Sequence, residues 1–164
     1  AYGSVYRAQL PSGKIVALKK LHGFEAEVAA FDESFRNEVK VLSEVKHRHI
    51  FKFHGFCLHK RIMFLIYEYM ERGSLFSVLF DDVEAMELDW KKRVNIVKGT
   101  AHAALSYLHH DWTLPIVHRD ISASNILLNS EWQPSVGEFG TARFLSLDSS
   151  NRTIVAGTIG YIAP

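Results

Sequence analysis

The chain of 164 residues is 48% hydrophobic and 23% charged, with eleven Phe, six Tyr and three Trp that must be buried, so disorder is excluded as its overall state. Its formal net charge of +1 offers no basic field for nucleic acid. A single cysteine, Cys57, excludes an internal disulfide, and no apolar run reaches the roughly 18 residues of a membrane span.

In chain order, Ser4 to Leu10 and Ile15 to Leu21 read as two strands joined at the turn signal Pro11-Ser12-Gly13-Lys14, a hairpin. His22 to Ala30 reads as a loop entering a helix capped by Asp32 or Ser34 and running to about Val45, with Phe31, Phe35, Leu42 and Val45 on one face. Phe53 to Leu58 and Ile62 to Tyr69 are the next strands, turned at His59-Lys60-Arg61. The second of them is apolar on both faces, as a central strand would be. Ser74 is placed to cap a short helix through Phe80, and Asp81 to Glu87 reads as an acidic surface loop. Asp89 caps a long helix from Trp90 to His110 whose apolar stripe is Val94, Val97, Ala101, Leu105 and Leu108. Beyond Asp111 short apolar strands alternate with Gly, Ser and Asn. The pattern describes a strand-rich lobe with one helix, a linker near Glu68 to Gly73, and a helical lobe that begins without being completed.

Several residues carry chemistry that packing does not ask for. Glu38 lies three residues after Phe35 and four before Leu42, on a core-facing stripe. A carboxylate there is either at the stripe edge or paired with a buried lysine. Lys19 and Lys20 lie on opposite faces of the second strand, and periodicity leaves open which is internal. Cys57 reads as a small core residue rather than a nucleophile. The run His118-Arg119-Asp120-Ile121-Ser122-Ala123-Ser124-Asn125 lies between two β-like stretches. Glu138-Phe139-Gly140 places another carboxylate thirteen residues after Asn125. Two carboxylates and an amide make an oxygen-rich set suited to Mg²⁺ and phosphate.

In this order the motifs resemble those of a eukaryotic protein kinase. Tyr2-Gly3-Ser4-Val5 resembles the end of the Gly-rich loop, and Val16-Ala17-Leu18-Lys19 the strand that carries the phosphate-binding lysine. His118-Arg119-Asp120 to Asn125 resembles the catalytic loop. Glu138-Phe139-Gly140 stands at the metal-binding position, and Gly157-Thr158-Ile159-Gly160-Tyr161-Ile162-Ala163-Pro164 resembles the end of the activation segment. The wording of Leu65-Ile66-Tyr67-Glu68-Tyr69-Met70 and Ser106-Tyr107-Leu108-His109-His110 is nearest to plant leucine-rich repeat receptor-like serine/threonine kinases.

The resemblance implies an α+β, two-lobed fold: a small β-rich lobe over residues 1–69 and an incomplete, mainly helical large lobe over 70–164. It implies ATP and Mg²⁺ as cofactors and protein Ser/Thr hydroxyls as substrate. Lys19, positioned by Glu38, would meet the ATP phosphates. Gly3, Val5, Ala17 and Leu128 would surround the nucleotide, Tyr67 would be the gatekeeper, and Glu68 to Met70 the hinge. Asp120 would accept the substrate proton, and Asn125 and Glu138 would hold Mg²⁺. Arg119 would grip a phosphorylated activation segment, with Ser146, Ser149, Ser150 and Thr153 as acceptors, while Thr158 would contact Asp120. A receptor or co-receptor kinase would be the partner, at the cytoplasmic face of the plasma membrane and attached only through regions outside this chain.

The chain also departs from the pattern. Glu138 replaces the family Asp, and one extra methylene displaces a Mg²⁺ ligand that needs near-ideal distances. That favours an alternative, a pseudokinase or inactive fragment acting through partner binding. Ser122 stands where many serine/threonine kinases carry lysine. Ala101 to Leu105 is one residue longer than the family spacing, which in an α-helix rotates later side chains by about 100°. The chain opens at Ala1 without Met and stops at Pro164 without a closing element, as a piece of something longer would. Alone it is expected to fold poorly and be inactive, with Ile116, Val117, Ile126 to Leu128 and Ile162 short of cover.

Overall fold

The turn signal at Pro11 to Lys14 folds the chain back on itself. In the computed structural model, which describes residues 3–21, 28–59, 62–145 and 158, strand β1 (Gly3–Gln9) pairs antiparallel with β2 (Ile15–Leu21). The turn closes through Leu10 N–H to Lys14 O at 2.8 Å, and Gly13 supplies the positive φ of 84° that the tight reversal requires.

Helix α1 spans Val28–Glu44. Asp32 and Ser34 therefore lie inside it rather than at its cap, consistent with the high helix propensity of Ala29 and Ala30. Phe35, Val41 and Leu42 are buried along its inner face, and Val45 is buried just past its end. Strands β3 (Phe53–His59) and β4 (Ile62–Glu68) complete a sheet of order β1-β2-β4-β3. β4 is internal, as its apolar faces require. β3 is an edge strand, and Cys57 on it is exposed rather than in the core.

The second lobe begins with β5 (Gly73–Ser74) and α2 (Leu75–Phe80), whose N-cap is Ser74, its Oγ accepting from Ser77 N–H at 3.0 Å. The stretch expected as an acidic loop is a second short helix, α3 (Asp82–Glu87). Asp81 Oδ1 caps it by accepting from Val83 and Glu84 N–H at 3.0 and 2.9 Å, and acids in the first turn suit the helix dipole. Arg72 then draws this helix inward. It donates to Glu84 at 2.6 Å while its guanidinium lies 3.8 Å from the ring centre of Trp132.

Asp89 caps α4 (Trp90–Lys98), and the run continues to α5 (Ser106–His110) through a π-helical stretch, Gly99–Leu105. Here hydrogen bonds reach one residue further, as from Ser106 N–H to Ala101 O. A π-turn holds one residue more than an α-turn, so the extra residue at 101–105 is taken up locally. The expected stripe is also corrected. Val97 is 65% exposed and Ala101 is exposed, while Ile96, Thr100, Ala104 and Leu108 face the core. Gly99 seats this stretch closely, since a Cβ there would stand 2.6 Å from Pro134 Cγ.

Strands β6 (Ile116–Val117), β7 (Ile126–Leu128), β8 (Pro134–Val136) and β9 (Arg143–Phe144) form two small sheets, β5-β7-β8 and β6-β9. The segment after α1 latches onto β8. Phe51 N–H donates to Val136 O at 2.9 Å, and Val136 N–H to His49 O at 2.8 Å. One hydrophobic core consequently runs through both lobes, from Ala17, Phe35 and Leu65 to Leu108, Ile116 and Phe139. Ile116, Ile126 and Leu128 are buried, contrary to the expected loss of cover. Uncovered apolar side chains lie instead on α2 to α4, among them Phe80, Met86 and Trp90 (79% exposed), and on the edge strands β1 and β3, as at Val5 and Leu58. The expected turn at Lys60-Arg61 and the segment-end residue Ile162 lie outside the described residues.

Candidate active site

Lys19 is the internal lysine of the pair. It sits on interior strand β2 with 6% of its surface exposed, and its Nζ donates at 2.9 Å to Glu38 Oε2 on α1. Glu38 is 2% exposed. Its second oxygen accepts from the Tyr67 hydroxyl at 2.7 Å, so both carboxylate oxygens are satisfied. Tyr67, on β4, is buried and stacks on Phe51 with 4.9 Å between ring centres. The sequence reading missed this hydrogen bond. A tyrosine on a doubly buried strand must find a partner for its hydroxyl, and that signal was present.

The same ammonium reaches the other lobe. Lys19 Nζ lies 2.9 Å from Oε1 and from Oε2 of Glu138, whose side chain is 38% exposed. One cation thus stands among two carboxylates. Burial disfavours the Lys19 charge, but Glu38 and Glu138 together outweigh it and raise its pKa above the ordinary 10.5. Glu38 is likewise raised above 4.5, chiefly by burial, with Lys19 opposing and Glu138 adding to the shift. Burial and the Glu38 charge hold the Tyr67 hydroxyl well above its usual range.

Glu138 adopts left-handed backbone angles, φ 62° and ψ 64°. Its neighbour Gly137 ties this turn to the loop below, donating N–H to Asn125 O at 2.9 Å. Asn125 is buried in the 3₁₀ turn Ala123–Asn125, and its Nδ2 donates to both the backbone oxygen and Oδ2 of Asp120, each at 2.9 Å. Asp120 Oδ1 accepts from Thr158 Oγ1 at 2.6 Å. Lys19, Glu38, Glu138, Asn125 and Asp120 are therefore joined in one chain of contacts across the two lobes. Ser146, Ser149, Ser150 and Thr153, the expected phosphate acceptors, lie outside the described residues, as does Tyr2.

The remaining expected site residues are placed less uniformly. Ala17 is buried beside Tyr67 in the strand register, Met70 is buried, and Val5 and Glu68 are exposed. Gly3 has a structural reason to be glycine, since a Cβ would stand 2.5 Å from Lys20 O. Leu128 has 0% exposure and belongs to the second core cluster, with Val78, Ile96 and Trp132. It lies apart from the cluster that holds Ala17, Tyr67 and Met70. Alternation along β7 turns Leu127, not Leu128, toward the cluster containing Ala17 and Met70. Ser122 is buried, its Oγ without a partner among the described residues.

His118 holds the loop from beneath. Its Nε2–H donates to Gly137 O at 2.8 Å, its Nδ1 accepts from Asp120 N–H at 3.3 Å, and its ring meets Phe139 edge-on at 4.7 Å. This arrangement requires a neutral ring, and burial lowers the pKa below 6.5, outweighing the Gly137 carbonyl, Asp120 and Glu138. The unfolded chain therefore takes the proton first on acidification. Stability is expected to be lost as pH falls through 6.5 toward the lowered folded value, and His118 adds no slope above it. Urea midpoints between pH 7.5 and 5.5 should show a shallower acid slope in His118→Phe than in the parent, with some slope remaining because His47 and His54, also lowered by burial, titrate in both.

As a donor set for Mg²⁺, Asn125 and Glu138 fit a cation that takes few protein oxygens and keeps water or phosphate for the rest. With Nδ2 turned to Asp120, Oδ1 is the atom Asn125 has for a cation. Among the described residues no group of three or more His, Cys, Asp or Glu could hold a metal ion by itself.

A two-lobed α+β fold with a buried Lys–Glu pair above an Asp–Asn loop defines a protein kinase domain. The chain belongs to that family, whose model matches residues 1–164. It is closely related to plant leucine-rich repeat receptor-like kinases. Over 166 residues it is 53% identical to a probable leucine-rich repeat receptor-like protein kinase of Arabidopsis thaliana, covering 99% of this chain and 15% of that protein. It is 52% identical to MDIS1-interacting receptor like kinase 2 of the same plant, covering 99% of the chain and 16% of that protein. The leucine-rich repeat receptor-like protein kinase PEPR1, also of A. thaliana, is 45% identical, with 100% and 14% covered. The chain thus spans 14 to 16% of the length of these relatives.

Proposed function

We propose that the chain is the nucleotide-binding and catalytic-loop part of a protein serine/threonine kinase, with its small lobe over 1–69 and its large lobe from residue 70. The observation that supports this best is the continuous contact from Lys19 and Glu38 through Glu138 and Gly137 to Asn125 and Asp120. Lys19 binds and orients the phosphates, held in place by Glu38. Gly3, Val5, Ala17, Leu127 and the Glu68–Met70 hinge enclose the nucleotide, with Tyr67 behind it. Asp120 Oδ1 keeps a lone pair beyond its Thr158 contact, so it can orient a substrate hydroxyl and take its proton. Mg²⁺ held by Asn125 and Glu138 would neutralise charge on the β- and γ-phosphates. Little covalent work falls to the protein, and its contribution is position and charge.

The segment belongs in this reading to a longer receptor-like kinase, placed at the cytoplasmic face of the plasma membrane with another receptor kinase as partner. No helix among the described residues is long and apolar enough to cross a membrane.

A second reading, a pseudokinase that signals through conformation, is favoured by the grip of Lys19 on both Glu138 oxygens. The two separate in the full-length protein. Transfer of phosphate from ATP to Ser or Thr, lost in Asp120→Asn, is the expected result for the kinase. Nucleotide binding that ignores Mg²⁺, with no transfer, would establish the pseudokinase.

A further inference from the structure

The turn that follows Glu138 is held by side chains from both lobes. Asn37, one residue before Glu38 on α1, aims its Nδ2 at three carbonyls: Phe139 O at 3.0 Å, Gly140 O at 3.2 Å and Ala142 O at 2.7 Å. The fourth carbonyl of the turn, Thr141 O, accepts from Arg119 Nε at 2.6 Å. Thr141 Oγ1 donates back to His118 O at 3.1 Å. Four successive carbonyls are thus taken by two side chains, one beside Glu38 and the other beside Asp120.

An amide nitrogen carries two hydrogens, so three acceptors can be shared only if the turn keeps its curvature under Asn37. Adjacent residues on an α-helix point about 100° apart. Glu38 can therefore face Lys19 while Asn37 faces the 139–142 turn, and any roll or shift of α1 moves both contacts together. Packing alone would ask only for a side chain of similar volume.

We propose that Asn37 is a positioning residue for the nucleotide site. Its amide couples the placement of α1, and with it the Lys19–Glu38 pair, to the backbone that carries Glu138 and leads through Arg119 to Asp120. This rests on the kinase reading above and adds a specific link between the lobes.

The test uses the full-length protein. Asn37→Asp keeps the side-chain shape but sets a carboxylate against carbonyl oxygens, and Asn37→Gln keeps the donor on a longer stem. The measurements are Mg²⁺-ATP affinity by titration, hydrogen exchange at the amides of 139–144, and melting temperature. Coupling predicts affinity weakened about tenfold or more in Asn37→Asp, faster exchange in 139–144, and recovery of most of both in Asn37→Gln. Faster exchange with unchanged affinity would reduce Asn37 to local packing and overturn the proposal. So would a Gln variant no better than Asp at equal melting temperature. Lys19→Met is run in parallel. If affinity ignores Lys19 as well, or the parent binds no nucleotide, the kinase-site reading itself fails, whereas a response to Lys19 alone rejects only the coupling.

Discussion

Glu138→Asp in the full-length protein is expected to raise phosphate transfer from ATP by about 100-fold, the scale on which a displacement of about 1 Å in a positioned group acts. Glu138 places both carboxylate oxygens 2.9 Å from Lys19 Nζ, so in the proposed site the anion offered to a metal also occupies the cation offered to phosphate. Shortening the side chain by one methylene withdraws it from that grip. The backbone favours the change too. Residue 138 has φ 62°, where Asp is more readily accommodated than Glu and a residue with a Cβ pays roughly 1–2 kcal/mol. Initial rates at saturating Mg²⁺ decide the matter. Equal rates for the two proteins would show that Glu138 is not what limits transfer.

Removing Lys19 is expected to have the largest effect on stability. Lys19→Met leaves Glu38, 2% exposed, without its cation, and a buried pair broken on one side costs about 3–5 kcal/mol. Glu138 is partly exposed and can turn to water, so the loss falls on Glu38. Part of it is relieved when Glu38 takes a proton, to which burial already inclines it. Replacing the whole buried set, Lys19→Met with Glu38→Leu and Tyr67→Phe, should recover most of the stability, because neither a lone carboxylate nor an orphaned hydroxyl remains. Denaturant unfolding of the three proteins checks both statements. A loss under about 1 kcal/mol in Lys19→Met would mean that the pair is far more solvated than its burial implies.

Much of this arrangement was legible in the sequence. The hairpin about Gly13, the caps at Ser74 and Asp89, and the central strand at Ile62 to Tyr67 follow from local chemistry, and local chemistry prevailed. The stripe marked Glu38 as either an edge residue or one half of a buried pair, and only the family resemblance singled out Lys19 as its partner. What escaped reading depends on distant partners. Asp82–Glu87 is held as a helix by its local Asp81 cap, a signal hidden in a run of acids, and by Arg72, a partner ten or more residues away. Val97 lies outside the buried stripe because the inner face of α4 is set by its neighbour Ile96, and Ala101 lies outside it within the π-turn, where Thr100 and Ala104 take the inner positions. Leu127 and Leu128 join different clusters, since in a strand one residue is a change of face, and nothing in the local sequence says which face meets the core of the small lobe. Asn37 gave no sign, since a polar residue on a helix reads as solvent-facing until the turn it serves is in view.

The widened turn at Gly99–Leu105 has a consequence for how this domain tolerates change in length. A seven-residue stretch gives up its usual ladder so that an added residue stops there as local slack and is not passed on as rotation. Leu108 still points inward, Ile116 still enters its sheet, and His118 still finds Gly137. The helix works as an expansion joint between its solvent-facing surface and the loop that carries Asp120 and Asn125.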